Sequence, residues 1–183
     1  MINLIEALKS QLLRECVKRV PRHTYLGGVW HDESAKALVS TDMQRTMIIF
    51  SRYSPRLANH VISIDDGSYI CVSQVKAKTF MPKPEEYKQV FMRVFIREGI
   101  VKDRDMWLTI EDDWGEDAYD AWFSPVRTPS SPVRVNGRYL RPLEGFVVKV
   151  AVKDAKSPVL FYVDDTDDFY MVSPIIDKEA DRW

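Results

Sequence analysis

The chain has 183 residues, which is enough for one domain or for two small domains that share a core. Hydrophobic residues make up 45% and charged residues 29%, a globular composition that excludes a disordered chain. Twenty-six basic residues against 27 acidic ones give a net charge of -1. This balance disfavours a nucleic-acid binder that acts through its whole surface, but it is compatible with a locally basic face.

The cysteine content and the N-terminal residues indicate the cellular compartment of the protein. Cys16 and Cys71 are too few for a disulfide scaffold, and they form no C-x-x-C motif. The first residues lack the basic start and the apolar run of a signal peptide, and no apolar run approaches the ~18 residues that cross a bilayer. We therefore expect a soluble, reduced, cytoplasmic protein that has no contact with membranes.

Residues 2–20 predict an amphipathic helix that ends at Pro21, because proline cannot continue the helical hydrogen-bond ladder. At about 100° per residue, one side of the helix is apolar. Its members are Ile2, Ile5, Leu12, Leu13, Cys16, Val17 and Val20. The other side carries Asn3, Gln11, Arg14 and Lys18. Lys9 lies on the apolar side, and we expect its long stem to carry the ammonium group out to solvent.

Beyond Pro21 the residue pattern predicts mostly strands. The predicted strands are 25–30, 37–40, 47–50, 60–64, 69–75, 106–111, 118–123, 148–153, 159–163 and 169–172, with a polar turn at 31–34. For residues 85–96 the periodicity does not decide between a short helix and a strand. The proline-containing stretch 81–84 marks a domain boundary, which gives an N-terminal domain 1–80 and a C-terminal domain 81–183. The fold class is α+β, mainly antiparallel sheet with few helices.

No motif indicates an enzyme, a cofactor or a metal. The histidines His23, His31 and His60 have no zinc-ligand spacing, and no glycine loop can hold a phosphate. Neither cysteine carries a nucleophile signature, and Cys16 is expected to be a small core residue. Acidic clusters at 111–113, 116–117 and 164–168 fall at predicted hairpin turns, which favours solvated turns. A small hydrolase with a metal ion at Asp112, Asp113 and Asp117 is an open alternative.

Three segments resemble a known family. Residues 135–140 (Val-Asn-Gly-Arg-Tyr-Leu), 157–161 (Ser-Pro-Val-Leu-Phe) and 170–176 (Tyr-Met-Val-Ser-Pro-Ile-Ile) are similar to the C-terminal domain of bacterial DNA sliding clamps. These are the β-type processivity factors of replicative DNA polymerase. Their pattern is an Asn-x-x-Tyr-Leu helix start, a Ser-Pro strand and a final Met-Pro strand. Ser173-Pro174 stands where that family has Met-Pro.

Two further segments follow the clamp order. Residues 39–45 (Val-Ser-Thr-Asp-Met-Gln-Arg) resemble the clamp turn Ala-Thr-Asp-Gly-His-Arg-Leu, with Met43 and Gln44 in place of Gly and His and Thr46 in place of Leu. Residues 84–90 (Pro-Glu-Glu-Tyr-Lys-Gln-Val) resemble the clamp joint Phe-Pro-Asp-Tyr-x-x-Val with one residue inserted. The resemblance spans roughly residues 37–176 of this chain.

The resemblance implies a non-enzymatic DNA processivity factor with a pocket for short peptides of polymerases and the clamp loader. The implied pocket residues are Thr41, Met43, Gln44, Arg45, Thr46, Tyr87, Gln89, Val90, Met171, Val172, Ser173 and Pro174. Arg14 and Lys18 on the first helix, with Arg138 and Arg141 near a second, helix-like segment at 136–143, would face duplex DNA. The chain is short for a clamp, and a trimeric ring is the natural homo-oligomer. The alternative is a phage or mobile-element module that binds host replication proteins without encircling DNA.

Overall fold

The structure is a computed structural model that describes residues 3–17, 28–32, 35–50, 83–94, 105–109, 122–129 and 131–176. Within these ranges it has one α-helix, ten strands and three short 3-10 helices. The helix α1 is Leu4–Glu15. The strands are β1 (Trp30–Asp32), β2 (Ala37–Thr41), β3 (Arg45–Phe50), β4 (Lys88–Arg93), β5 (Asp105–Thr109), β6 (Trp122–Ser124), β7 (Val133–Asn136), β8 (Val147–Val152), β9 (Val159–Tyr162) and β10 (Phe169–Val172). The 3-10 helices are Pro84–Glu86, Gly137–Tyr139 and Arg141–Leu143.

The predicted class, α+β with mainly antiparallel sheet and few helices, is confirmed. The pairs β1–β2, β2–β3, β4–β8, β5–β6 and β5–β7 are all antiparallel. None of the helices in the described ranges has the length and apolar character needed to cross a membrane. The predicted hairpin of 60–64 and 69–75, and the acidic clusters at 111–113 and 116–117, lie outside the described residues.

Internal contacts divide the chain into two compact units. The first unit contains Met1–Lys83 and Tyr162–Met171, and the second contains Pro84–Phe161 and Val172–Trp183. In the first unit the strands lie in the order β1-β2-β3-β10. In the second unit β9, β8 and β4 are neighbours in that order, and a three-stranded sheet has the order β6-β5-β7. The domains 1–80 and 81–183 stay a prediction.

Helix α1 covers the sheet of the first unit. Asn3 caps its N-terminus because the Asn3 side chain accepts a hydrogen bond from the Ile5 backbone N–H at 3.1 Å. Leu8, Leu12 and Leu13 are buried, and the helix packs on β2 and β3. Every residue of β2 is buried, as expected for a strand covered on both faces.

Helix α1 is shorter than the predicted 2–20, of which residues 2 and 18–20 lie outside the described residues. It ends at Glu15, and Cys16 is the C-cap with a ψ angle of 3° that departs from the helix. The Arg45 guanidinium donates a hydrogen bond to the Glu15 carbonyl oxygen, so this carbonyl is satisfied without a further turn of helix. A contact from outside the segment therefore ends the helix within the apolar pattern, before Pro21.

The core of the second unit lies between its strands. In β7, Val133 and Val135 are buried while the alternate residues are half-buried, the period-two pattern of a one-sided strand. The rings of Phe123 and Phe161 meet with centroids 6.1 Å apart. Residues 85–96, left undecided by the sequence, form a 3-10 turn followed by strand β4.

One predicted turn is displaced along the chain. His31 and Asp32 belong to β1, although the sequence predicted a strand over 25–30 and a polar turn at 31–34. The Asp32 carboxylate is buried and accepts a hydrogen bond from the Ala35 backbone N–H at 3.2 Å. Because this acid organises the turn from inside the strand, the strand continues through two polar residues.

Candidate functional site

The turn between β2 and β3 carries five of the predicted pocket residues and is held by its own side chains. The Thr41 hydroxyl accepts from the Met43 backbone N–H and donates to the Arg45 carbonyl, both at 3.1 Å. Asp42 Oδ1 accepts from the backbone N–H groups of Gln44 at 2.9 Å and Arg45 at 2.8 Å. Thr46 is buried and donates to the Thr41 hydroxyl at 2.9 Å. The turn is thus rigid before any partner arrives.

Met43 lies at the tip of this turn in the left-handed region, with a φ of 74°. Its side chain is 58% exposed. A non-glycine residue pays a steric cost of about 1–2 kcal/mol in this region, because its Cβ approaches the neighbouring carbonyl oxygen. The resembling clamp turn has glycine at this position, which avoids that cost. The chain therefore keeps an exposed thioether at the expense of backbone strain.

Replacing Met43 with glycine should raise the free energy of unfolding by about 0.5–1 kcal/mol, since the relief of strain exceeds the added entropy of the unfolded glycine. Urea denaturation measures the change. Lys36→Gly is the matched comparison, because Lys36 has a φ of 51° in the turn between β1 and β2. If Met43→Gly instead lowered the free energy of unfolding by about 0.5–1 kcal/mol, the strain at this position would be contradicted.

Arg45 joins three parts of the first unit. Its Nε donates to Asp42 Oδ2 at 2.9 Å, and its Nη1 lies 3.3 Å from Glu15 Oε2. Burial by itself lowers the pKa of Arg45, but the Tyr170 hydroxyl and the Asp42 carboxylate outweigh it and raise that pKa. Arg45 therefore ties the end of α1 and strand β10 to the turn between β2 and β3.

Cys16 lies beneath this arginine and is confirmed as a core residue, with no exposed surface. Burial raises the pKa of its thiol far above the ordinary value, and the lowering by Arg45 is smaller. A thiol that stays protonated is a poor nucleophile. The residue fills space between α1 and the sheet.

The second unit holds another part of the predicted pocket. Tyr87 is half-buried between the 3-10 turn and β4, and Gln89 is exposed in β4 opposite Ala151. Val90 follows in the same strand opposite Val150. Burial first, and then the carboxylates of Asp154 and Glu86, raise the pKa of Tyr87 against the opposing effect of Lys153. Lys153 and Glu86 form an exposed ion pair at 2.5 Å.

The last predicted pocket segment runs along β10 and the residues after it. Met171 is half-buried and Val172 is buried, while Ser173 and Pro174 are half-buried beyond the strand. The Ile175 backbone N–H donates to the Arg134 carbonyl at 2.8 Å, which fixes the chain after Pro174 on β7. The predicted pocket residues thus fall into sets within each unit, and the convergence of those sets into one pocket stays a prediction.

The predicted DNA-facing residues are in part described. Arg14 is exposed on the polar side of α1, and Arg138 and Arg141 are exposed in the second unit. Lys18 lies outside the described residues. The helix expected near 136–143 is instead a pair of 3-10 turns, Gly137–Tyr139 and Arg141–Leu143. Asn136 caps the first by accepting from the Arg138 backbone N–H at 3.1 Å, and Pro142 is the second residue of the other.

A buried ion cluster in the first unit was missed by the sequence reasoning. Lys9 does not extend to solvent: its side chain is 4% exposed, and its ammonium lies 2.6 Å from both Asp164 Oδ2 and Asp168 Oδ2. Its third contact is the Thr166 hydroxyl at 3.2 Å. The other oxygen of Asp168 accepts from the Phe50 backbone N–H at 2.7 Å. The cluster joins α1, β3 and the turn between β9 and β10.

The cluster corrects the expectation of a solvated turn at 164–168. Asp168 is buried, and only Asp165 and Asp167 are exposed. Burial alone would raise the pKa of Asp164, but hydrogen bonds from Lys9 and Thr166 outweigh it and lower that pKa. A lysine on the apolar side of a helix, together with an unmatched acidic run elsewhere, is the sequence signal that could have revealed the pair. Across the described ranges, no group of three acidic, histidine or cysteine side chains could hold a metal ion.

Comparison with known proteins identifies similarity in structure alone. The sequence matches no protein-family model and no curated protein sequence. The Helicobacter pylori beta clamp bound to DNA ligase peptide is 13% identical with a TM-score of 0.56, covering 94% of this chain and 63% of that chain. The DNA polymerase III subunit beta of Pseudomonas aeruginosa is 13% identical with a TM-score of 0.54, and the match covers 95% of this chain and 65% of that chain. The DNA polymerase sliding clamp of Bacillus subtilis is 13% identical with a TM-score of 0.52, and the match covers 94% of this chain and 63% of that chain.

These neighbours give the fold and its extent. The chain has the fold of bacterial beta sliding clamps, which confirms the clamp-like modules expected from the resemblance. It spans less than two thirds of the length of each of these proteins. At this level of identity the likeness establishes a clamp-like fold, and the activity of the whole protein requires a separate proposal.

Proposed function

We propose that the protein is a clamp-like DNA processivity factor, which binds duplex DNA without sequence preference and recruits replication proteins through a peptide-binding pocket. The observation that carries this proposal is the structural similarity to bacterial beta clamps over 94% of the chain. One of these neighbours is bound to a DNA ligase peptide. A clamp is a scaffold, so we expect no catalytic activity and no cofactor.

The turn between β2 and β3 supports peptide recruitment. A pocket for a short peptide combines an apolar surface with a few polar groups that fix the orientation of the chain. Met43 supplies exposed apolar surface, and the adjacent Gln44 is exposed and polar. Because Arg45 is engaged with Glu15 and Asp42, we assign it a positioning role rather than direct contact with a peptide.

Exposed basic residues support the DNA contacts. Arg14, Arg138 and Arg141 would donate to phosphates, which position a duplex without reading its sequence. The net charge of -1 keeps the overall attraction small, so we expect weak binding that falls steeply with salt. A homo-oligomer of three chains would close a ring with the same interface used three times.

Charge reversal at Arg14 and Lys18 tests the DNA contact. The double substitution Arg14→Glu and Lys18→Glu should lower retention on circular duplex DNA severalfold at low salt, because two attractive charges become repulsive. Retention is measured by gel filtration of protein mixed with circular plasmid. The matched control is Lys36→Glu with Lys156→Glu. It changes the net charge by the same amount, at two exposed lysines that lie in turns. Equal retention of the Arg14→Glu and Lys18→Glu double variant and the wild-type protein would remove these residues from the DNA contact.

The second candidate function is a phage or mobile-element module that binds host replication proteins without encircling DNA. The fold similarity to the Helicobacter pylori beta clamp, which is bound to a DNA ligase peptide, is compatible with it. This alternative predicts a monomer that binds partner peptides and is not retained on circular DNA. Met43 would then contact those partner peptides.

A further inference from the structure

Arg127 is a charged side chain of the second unit that has no role in the proposed clamp function. It lies after β6, and its guanidinium carbon is 4.8 Å from the centroid of the Trp107 ring. Arg134 lies 5.8 Å from the same ring. Trp107 is only 8% exposed, whereas Arg127 is exposed. Among the described residues no carboxylate or carbonyl accepts a hydrogen bond from Arg127, and within the same ranges its guanidinium contacts the Trp107 ring.

The loop that carries Arg127 is fixed by hydrogen bonds. The Ser124 hydroxyl accepts from the Val126 backbone N–H at 3.0 Å and donates to the Val126 carbonyl at 3.3 Å. Thr128 and Ser131 bind each other through two bonds of 3.0 Å that involve their backbone N–H groups. Such a loop loses little conformational entropy when a partner binds.

The chemistry of the stack selects an anion with two neighbouring acceptor oxygens. A guanidinium that uses one face for an indole keeps the donors at its edge, and these match the two oxygens of a carboxylate or phosphate. The second guanidinium, Arg134, adds positive potential at the same ring. The stack therefore has the charge to complement an acidic partner.

The residue next to Arg127 distinguishes a peptide from a nucleic acid. Val126 is 65% exposed and directly precedes the exposed Arg127 in the chain, so one extended partner segment can reach both an aliphatic side chain and a guanidinium. A nucleic-acid backbone presents mainly charged phosphate oxygens and small sugar rings, whereas a peptide can place a whole apolar side chain next to a carboxylate. The buried Trp107 ring is also covered, so bases cannot stack on it.

We propose that Val126 and Arg127 form a docking site for an acidic peptide segment of a protein partner, in which an apolar side chain lies beside the carboxylate. The carboxylate accepts from the Arg127 guanidinium, and the apolar neighbour covers Val126. The site belongs to the second unit alone and does not depend on the proposed peptide pocket or on DNA binding. Its small size predicts a weak, transient contact.

Fluorescence anisotropy with a labelled probe peptide, Asp-Leu-Asp-Leu-Asp, tests the site at low salt. Arg127→Gln should weaken binding roughly tenfold or more, because it removes charge-assisted hydrogen bonds. The affinity of Arg127→Lys for the probe should lie between those of the wild-type protein and Arg127→Gln, since lysine keeps the charge without the planar fork. Val126→Ser should weaken binding a few-fold, about the effect of losing one aliphatic contact.

Lys156→Gln is the matched control, because Lys156 is an exposed cation of the same unit outside the proposed pocket and DNA contacts, and this variant should bind the probe like the wild-type protein. The probe Asn-Leu-Asn-Leu-Asn should bind at least tenfold more weakly. Equal affinity of wild-type and Arg127→Gln proteins would overturn the proposal, as would equal weakening by Lys156→Gln. A duplex or single-stranded oligonucleotide that binds through Arg127 when the peptide does not would overturn it in favour of nucleic acid.

Discussion

Replacing Lys9 with methionine should lower the free energy of unfolding by about 3–5 kcal/mol, because it leaves carboxylates in the interior without their cation. Methionine keeps the length and the apolar stem of the side chain, so the change isolates the charge. Asp168 is buried and its second oxygen is bound to the Phe50 backbone, which prevents it from rotating out to solvent. Urea denaturation followed by far-UV circular dichroism measures the loss.

Two further variants serve as controls for Lys9→Met. Lys156→Met removes an exposed lysine and should change stability by less than about 0.5 kcal/mol. Adding Asp164→Asn and Asp168→Asn to Lys9→Met should recover part of the loss, since buried charges are then no longer unmatched. Stability of Lys9→Met within about 1 kcal/mol of the wild-type protein would show that the cluster does not hold α1 to the sheet.

Replacing Arg45 with methionine should cost about 2–4 kcal/mol, because it removes charge-assisted hydrogen bonds to Asp42 and Glu15 from a largely buried position. The side chain of Arg45 is 15% exposed. The same substitution uncaps the Glu15 carbonyl, so amide hydrogen exchange in the last turn of α1 should accelerate. Denaturation and exchange together separate the local effect from the global one.

Arg138, an exposed arginine of the second unit, is the reference for this prediction. Arg138→Met should leave both stability and exchange in α1 within the error of the wild-type values, because within the described part of the chain Arg138 is exposed and forms no ion pair. If Arg45→Met were equally neutral, the positioning role of Arg45 would be wrong, and its guanidinium would be available to a bound peptide instead.

Much of the fold was predictable from the sequence because its elements follow local periodicity. Strand β10 has the predicted bounds 169–172, and β2 and β8 differ from prediction by one residue. The end of α1 was not predictable, because a guanidinium from β3 satisfies the Glu15 carbonyl. The helix expected at 136–143 became 3-10 turns, and Pro142 in the second of them disfavours a continuous α-helix.

The candidate site was predictable only in its local part. The turn at Thr41–Thr46 follows from Thr and Asp side chains that bind nearby backbone groups, a short-range pattern. The left-handed conformation of Met43 was hidden, because methionine gives no signal for a positive φ. The pairing of Lys9 with Asp164 and Asp168 joins residues more than 150 positions apart, and only tertiary packing brings them together.

The oligomeric state in solution tests the central claim most directly. Light scattering on the purified full chain, over a series of concentrations with and without circular duplex DNA, gives the molar mass without an assumption about shape. A ring-forming processivity factor predicts a mass of three chains that persists on dilution and on DNA. A mass of one chain at every concentration, with and without DNA, would contradict the clamp function and favour the protein-binding module.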